Sequence, residues 1–323
     1  MTVLVTGATG LVGRHLVQRL LSEGARVRAL VRPTADASPL AAAGVEIATA
    51  DLANDTPLDA VVAGCDVVHH LAAVHGPGIE AAACEAVNVG GTERLARAAA
   101  RAGVRRFVLA STRGVHGLVR GGILSEQSPV APNTPYRHSK LEGERVVARC
   151  ASQHGLRAVT LRLPSMIGSG SRTWLELFRT VARGRFRLIG RGSNRMHPCH
   201  VADAADALSL AAAAPGVEGE TFIIGGAAPL SQREFLQHIA IALGVGLARV
   251  PMPLAPYRAL LAVRRSAARS AGRPLRPDAG EFWLSSYEID DRKARQQLGY
   301  VPRGSLQEAV DQTVSWYRRR GVL

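Results

Sequence analysis

Short β-branched runs alternate with longer helical patterns through the first half of the chain, and few architectures accept that rhythm. VLVT is followed by a helical stretch from Leu11 to Glu23, RVRALV by a loop and Leu40 to Ala43, and VEIATA by Leu58 to Ala63. CDVVHHLA then leads into a helix expected from about Glu80 to Ala102. RRFVLAS precedes an irregular stretch and a helix from Tyr136 to His154, and LRAVTLRLP closes the series. Buried strands joined by helices make a parallel sheet, because each right-handed crossover needs a covering helix on one face. The expectation is an α/β fold with a doubly wound parallel sheet.

Beyond Pro164 the rhythm loosens. A helix is expected near Trp174 to Arg183, a strand at FRLIG, a helix entered from HPCHVADAADAL, and a strand at TFIIGG. Prolines at 251, 253, 256, 274 and 277 cut this half into short pieces. The expected division is 1–165 for the sheet domain and 166–323 for a smaller C-terminal α/β lobe that takes the substrate. Segments near 199–225 are expected to return to the first domain.

TGATGLVG puts Gly7, Gly10 and Gly13 directly after the first strand and at the opening of the first helix. Glycines let backbone come close to a pyrophosphate, whose charge the free N–H groups and the positive end of the helix dipole receive. Following an N-terminal strand, this is the context of a dinucleotide-binding Rossmann sheet. The second strand ends Leu30-Val31-Arg32, with no carboxylate for a ribose 2′-hydroxyl and with Arg28 and Arg32 nearby. The charge logic favours NADP(H), while Asp36, close in sequence, keeps NAD(H) open.

YRHSK places Tyr136 and Lys140 four apart at a helix start, on one face and a turn apart. The chain has five tyrosines and two lysines, so the pairing is specific. An ammonium within a few ångströms favours the phenolate and brings proton exchange with an alcohol or carbonyl into a useful range, so Lys140 is expected to tune Tyr136.

TGATGLVG, Asp51-Leu52 after the third strand, HLAA at 70 to 73, NVGGT at 88 to 92, STRGVHG at 111 to 117 and YRHSK together resemble the extended short-chain dehydrogenase/reductase family, also described as NAD-dependent epimerase/dehydratases. The likeness runs to the tail, IDDRKARQQLGYVPRGSLQEAV. The resemblance implies that Gly7, Thr9, Gly10, Leu11, Val12 and Gly13 cradle the pyrophosphate and that Arg32 stands at the adenosine ribose. Asp51 and Leu52 would meet the adenine, and Leu71, Ala72 and Ala73 would line the cleft. Asn88 would support the central helix, and Pro164 to Ile167 would contact the nicotinamide end. Thr112, with Ser111 adjacent, would hydrogen-bond the reacting oxygen while Tyr136 passes the proton beside Lys140. The implied activity is hydride transfer between nicotinamide and a secondary alcohol or ketone of a small molecule. A homodimer packed through long helices is implied as well.

The alternative is an NAD-dependent nucleotide-sugar epimerase or dehydratase. Against it, LRLPSMIGSG carries Pro164 where such enzymes usually place an asparagine, and Met196 stands at a usual arginine position. Arg191 and Arg195 stay within reach of a diphosphate. RLPSMIG is more similar to the family's ketone reductases and hydroxysteroid-type dehydrogenases.

The 40 basic and 26 acidic residues leave a charge of +14, a field that favours an anionic substrate or cofactor. The basic residues are scattered and aromatic residues too few for stacking platforms, so nucleic acid is not an expected partner. Cys65, Cys84, Cys150 and Cys199 have no paired spacing and suit free thiols. No signal peptide or membrane span is expected, which points to the cytoplasm. His197, Cys199 and His200 in HPCH lack the spacing of a metal site, so no metal is expected. The stretch 257–277, apolar then basic, reads as a solvated amphipathic helix, with a substrate-gripping lid or a membrane-touching segment as the alternative.

Overall fold

The computed structural model describes residues 1–323 except 77, 248–250, 271–279 and 281. Strand β1 (Thr2–Thr6) runs into helix α1 (Leu11–Ser22). Then come β2 (Arg26–Val31), α2 (Ser38–Ala42), β3 (Glu46–Thr49), α3 (Asp59–Val62) and β4 (Val67–His70). Helix α4 (Ala81–Cys84), a π-helical stretch Glu85–Gly91 and α5 (Thr92–Arg101) form one unbroken run where the sequence predicts a single long helix. Gly91 lets that run close on the start of the third crossover, since a Cβ there would lie 2.6 Å from the Leu52 carbonyl oxygen. β5 (Arg106–Thr112), β6 (Arg120–Leu124), α6 (Pro135–His154) and β7 (Ala158–Leu163) complete the first half. Thr134 caps α6 by accepting from the Arg137 N–H, and Gly155 ends it in the left-handed region.

The second half contains β8 (Met166–Ile167), α7 (Leu175–Ala182), β9 (Arg195–Met196), β10 (Cys199–His200), α8 (Val201–Ala213) and β11 (Thr221–Ile223). It continues through β12 (Leu230–Ser231), α9 (Gln232–Leu243), α10 (Leu254–Ser270), β13 (Ser286–Ile289), α11 (Arg292–Leu298) and α12 (Leu306–Arg319). Phe186 to Gly190, expected as a strand, makes only an isolated bridge between Ile189 and Met252. Leu188 and Ile189 are buried there, so an apolar run that reads as a strand serves as core filler in a loop. Of the stretch 257–277, α10 covers residues to Ser270 and 271–277 fall outside the described residues. Tyr257 anchors that helix, its hydroxyl donating to the Gly280 carbonyl at 3.0 Å.

The central sheet has the order β11-β7-β5-β4-β1-β2-β3, and every pairing in it is parallel. Chain order reverses between β1 and β4, which opens a crevice at the carboxyl ends of the strands. Val3, Val5, Leu16 and Val17 belong to the core on one face; Leu4, Val68, Leu95 and Phe107 belong to the core on the other. A third core, around Trp174, Phe178, Phe235 and Tyr317, gathers buried residues from the second half of the chain. Each fully buried side chain of this size contributes about 1.5–3 kcal/mol. Among the described residues, no helix is long and apolar enough to cross a membrane.

Candidate active site

A cleft of about 720 Å³ opens over the crevice between β1 and β4. Its first wall is the turn after β1. Gly7 has φ +71°, and a Cβ on it would lie 2.7 Å from the Ala72 N. At Gly13 a Cβ would lie 2.1 Å from the Gly7 carbonyl oxygen, so only glycine lets helix and turn meet. Gly10 caps α1 without any side-chain hydrogen bond, and Gly10, Leu11, Val12 and Gly13 all border the cleft. The free N–H groups of the first helical turn are therefore open to an anion.

Thr9, Arg32, Asp51 and Leu52 line the same end, and Leu71, Ala72 and Ala73 form the floor. Arg28 does not: its guanidinium donates to Glu46 and to the carbonyls of Val61 and Ala63. Asp36 is likewise outside the lining and accepts from the Ser38 N–H at 3.0 Å.

The floor is held by a chain of hydrogen bonds whose direction can be worked out. Thr92 donates its hydroxyl proton to the Asn88 carbonyl (2.7 Å), so its oxygen accepts from His70 Nε2 at 2.8 Å. His70 Nδ1 must then accept from the Thr6 hydroxyl (2.8 Å), whose oxygen receives the Ala72 N–H at 3.1 Å. Burial, with a smaller push from the Lys140 charge, lowers the His70 pKa to about 3 and keeps this tautomer neutral. Asn88 binds both the N–H and the carbonyl of Val74 (2.8 and 3.0 Å) and donates to Ser139 Oγ at 2.9 Å. It thus ties the floor to α6 between Tyr136 and Lys140.

Ser111, Thr112, Tyr136, Lys140 and Pro164 line the other end. Thr112 Oγ1 accepts the Gly114 N–H at 3.0 Å, which leaves its own proton to donate into the cleft. Ser111 donates its hydroxyl hydrogen bond to the Glu144 carboxylate, so the two hydroxyls are not equivalent. Burial pushes Tyr136 up to about 12, with Arg137 lowering and Cys84 raising it to lesser extents. Desolvation outweighs neighbouring charge in setting this resting phenol. Lys140 is itself buried and brought down to about 8, with Glu144 opposing the shift.

Ile167, expected at the nicotinamide end, turns instead into the third core, fully buried; Met166 faces the cleft in its place. Alternation along β8 explains the exchange, since neighbouring strand residues point to opposite faces. His75, Ile79, Val87 and Thr173 also border the cleft. Nothing in the sequence marks Ile79 or Val87, because an apolar wall can be assembled from many residue types. Arg191 and Arg195 are not in the lining, and Arg195 pairs with Glu288 at 2.9 Å. His197 and His200 serve the backbone: His197 contacts the Gly226 carbonyl and Ile289 N–H, and His200 caps α8.

The model of the NAD-dependent epimerase/dehydratase family matches residues 3–225. A dTDP-glucose 4,6-dehydratase of Streptomyces niveus is 31% identical, covering 98% of this chain and 93% of its own. A 4-hydroxy-2-methyl-3-oxo-4-farnesyl-3,4-dihydroquinoline-1-oxide ketoreductase of Stigmatella aurantiaca is 30% identical, covering 96% and 95%. Among solved structures, MoeE5 in complex with UDP-glucuronic acid and NAD superposes with a TM-score of 0.78 at 27% identity, over 99% of this chain and 100% of that one.

Proposed function

The chain belongs to the NAD-dependent epimerase/dehydratase family, and from that premise we propose that it is an epimerase or dehydratase acting on a nucleotide-linked sugar by hydride transfer at one carbinol carbon. The observation that carries the reading is the convergence of Thr112, Tyr136 and Lys140 at one end of a cleft whose other end is the glycine turn. The dehydratase relative and the UDP-sugar complex support a sugar nucleotide, and they weigh against the plain ketone-reductase reading that Pro164 suggests.

The residues present fit a nicotinamide dinucleotide. The uncapped start of α1 and the close glycine packing leave open N–H groups for its pyrophosphate, and Asp51 and Leu52 stand where its adenine would lie. When bound, the dinucleotide supplies the hydride acceptor and donor. The protein supplies position and proton. Thr112 donates a hydrogen bond to the substrate oxygen. Tyr136, a phenol at neutral pH, gives a proton to a developing alkoxide. Taking that proton back requires positive charge near the phenolate, and Lys140, a turn away and still largely protonated at pH 7, provides it. Ile79, Val87 and Met166 keep the wall apolar, which strengthens these interactions by excluding water.

A second reading, an NADP(H)-dependent reductase of a ketone, draws on Arg32 in the cleft, the Asp36 carboxylate turned aside, and the ketoreductase relative. Mass spectrometry of dinucleotide carried through purification, followed by assays with UDP- and dTDP-sugars and with NADPH plus ketones, separates the two. Retained NAD and sugar conversion without added cofactor support the first. An empty protein that consumes NADPH only with ketones replaces it by the second.

A further inference from the structure

Behind the catalytic face of α6 lies a buried ion pair that hydride transfer does not itself require. Arg162 of β7 grips Glu144 through Nε (3.1 and 3.3 Å to the two carboxylate oxygens) and Nη2 (2.8 Å), with only 9% and 10% of the two side chains exposed. Ser111 and Arg162 are direct partners across β5 and β7, so both reach the same carboxylate from adjacent strand ends. His116 fixes the far side: its Nδ1 donates to the Pro129 carbonyl (3.0 Å), so its Nε2 accepts from Arg162 Nη1 at 3.3 Å. Arg162 Nη1 also lies 3.3 Å from the Glu126 carbonyl. The carboxylate is thus located by two strands and one loop, and it sits four residues beyond Lys140, one helical turn away on the same side of α6.

We propose that Glu144 is a positioning residue of this cleft, which locks the Ser111 hydroxyl away from the substrate oxygen and balances the Lys140 ammonium from one turn behind. The inference rests on the reading that Tyr136 and Lys140 perform proton chemistry here. Three features support a role beyond packing. A buried ion pair is in general no more stable than an apolar pair of similar volume, so its presence calls for another use. Ser111 is adjacent to Thr112, and with its proton committed to Glu144 it cannot compete for the oxygen that Thr112 is free to bind. Finally, burial drives Lys140 toward its neutral form, and Glu144 is the neighbour that opposes this.

Among the described residues, the titratable and charged groups around Lys140 and its partners are Tyr136 and Glu144 on α6, His70 at the end of β4, Cys84, Arg137 and His75 near Tyr136, and Arg162 with His116 behind Glu144. His70 is held neutral, so Glu144 is the anion in this group that faces the ammonium.

The chain has only two lysines, Lys140 and Lys293, so protein labelled with isotopic lysine yields two side-chain signals, and Lys293 on Glu220 (2.6 Å) is an internal reference. In Glu144→Gln the Lys140 titration midpoint moves down by about one pH unit, as expected for loss of a nearby opposite charge, and the Lys293 signal stays in place. Because this variant strands Arg162, Glu144→Gln/Arg162→Gln is measured beside it. The double variant regains most of the lost thermal stability yet keeps the lowered Lys140 midpoint. With substrate in hand, the alkaline limb of kcat follows the same displacement. An unmoved Lys140 midpoint in both variants overturns the proposal, as does a midpoint that returns to its original value when stability is regained. The titration needs no turnover, so a failure of the proposed activity would show in the wild-type assay and leave this result readable.

Discussion

The two ends of the cleft are built from different materials. Around α1 the site is backbone: glycines at van der Waals limits, uncapped N–H groups, and no acidic side chain in the first helical turn. Around α6 it is side chain: a phenol, an ammonium and two hydroxyls, each displaced in pKa or committed in hydrogen bonding by its neighbours. The first end fails when its geometry is disturbed, and a change of charge at Arg32 is expected to alter only which dinucleotide it prefers. The second tolerates small changes of shape and fails when one proton is missing.

The sharpest test removes one oxygen. Tyr136→Phe should lower kcat by roughly a thousandfold, the scale of lost general acid–base catalysis, while dinucleotide binding measured by fluorescence titration stays within a few-fold of wild type. Loss of binding as well would erase the contrast between the ends. At the opposite end, Gly13→Ala should cost about 3 kcal/mol of stability through backbone displacement and abolish dinucleotide binding; denaturant unfolding and the same titration measure both. A variant that still binds would show that the turn has slack.

Lys140→Met should inactivate the protein and stabilise it by about 3 kcal/mol at pH 7, because a buried ammonium is removed. The sign is set by the direction of the shift. The folded-state pKa, about 8, lies below the ordinary 10.5, so the wild-type penalty is full below pH 8 and fades as pH rises toward 10.5. The stability gap between variant and wild type should close over that window; a gap independent of pH would assign the gain to packing. Arg32→Ser should weaken NADPH relative to NADH by about tenfold, the scale of one lost charged hydrogen bond, and an unchanged ratio would remove Arg32 from cofactor choice. The smallest effect concerns His69, whose two ring nitrogens are buried with no hydrogen-bond partner among the described residues and whose pKa falls to about 3. His69→Leu should stabilise by about 1–2 kcal/mol at neutral pH, and the gain should grow as pH falls from 6.5 toward 3, where only the unfolded histidine binds a proton.

Much of this cleft is legible in the sequence because its signals are local. The glycine turn spans seven residues, Tyr136 and Lys140 share a helix face by spacing alone, and Asn88 lies in a recognisable NVGGT. What escapes reading is set by distant partners. Arg28 and Arg32 look equivalent in RVRALVR, yet Glu46 on the neighbouring strand captures one and leaves the other at the cleft. Ile167 and Met166 exchange roles through the pleat of a two-residue strand whose partner, β10, lies some thirty residues on. Glu144 carries no motif of its own, since Arg162 and Ser111 give it meaning only after three elements have packed. FRLIG has the composition of a strand, and among the described residues it makes a single bridge.

The position of β11 has a consequence for how the chain is made. This edge strand pairs with β7, but the ribosome must extend the chain from Leu163 to Thr221 before it exists. Until then the β7 edge offers unpaired N–H and C=O groups, and the face that α8 covers is bare. A fragment ended near residue 165 would carry the whole glycine turn and the Tyr136–Lys140 pair and still display a sticky edge. Such a truncation should aggregate, whereas the 323-residue chain, in which α11 packs on β11, Lys293 meets Glu220 and α12 closes the third core, should stay monodisperse.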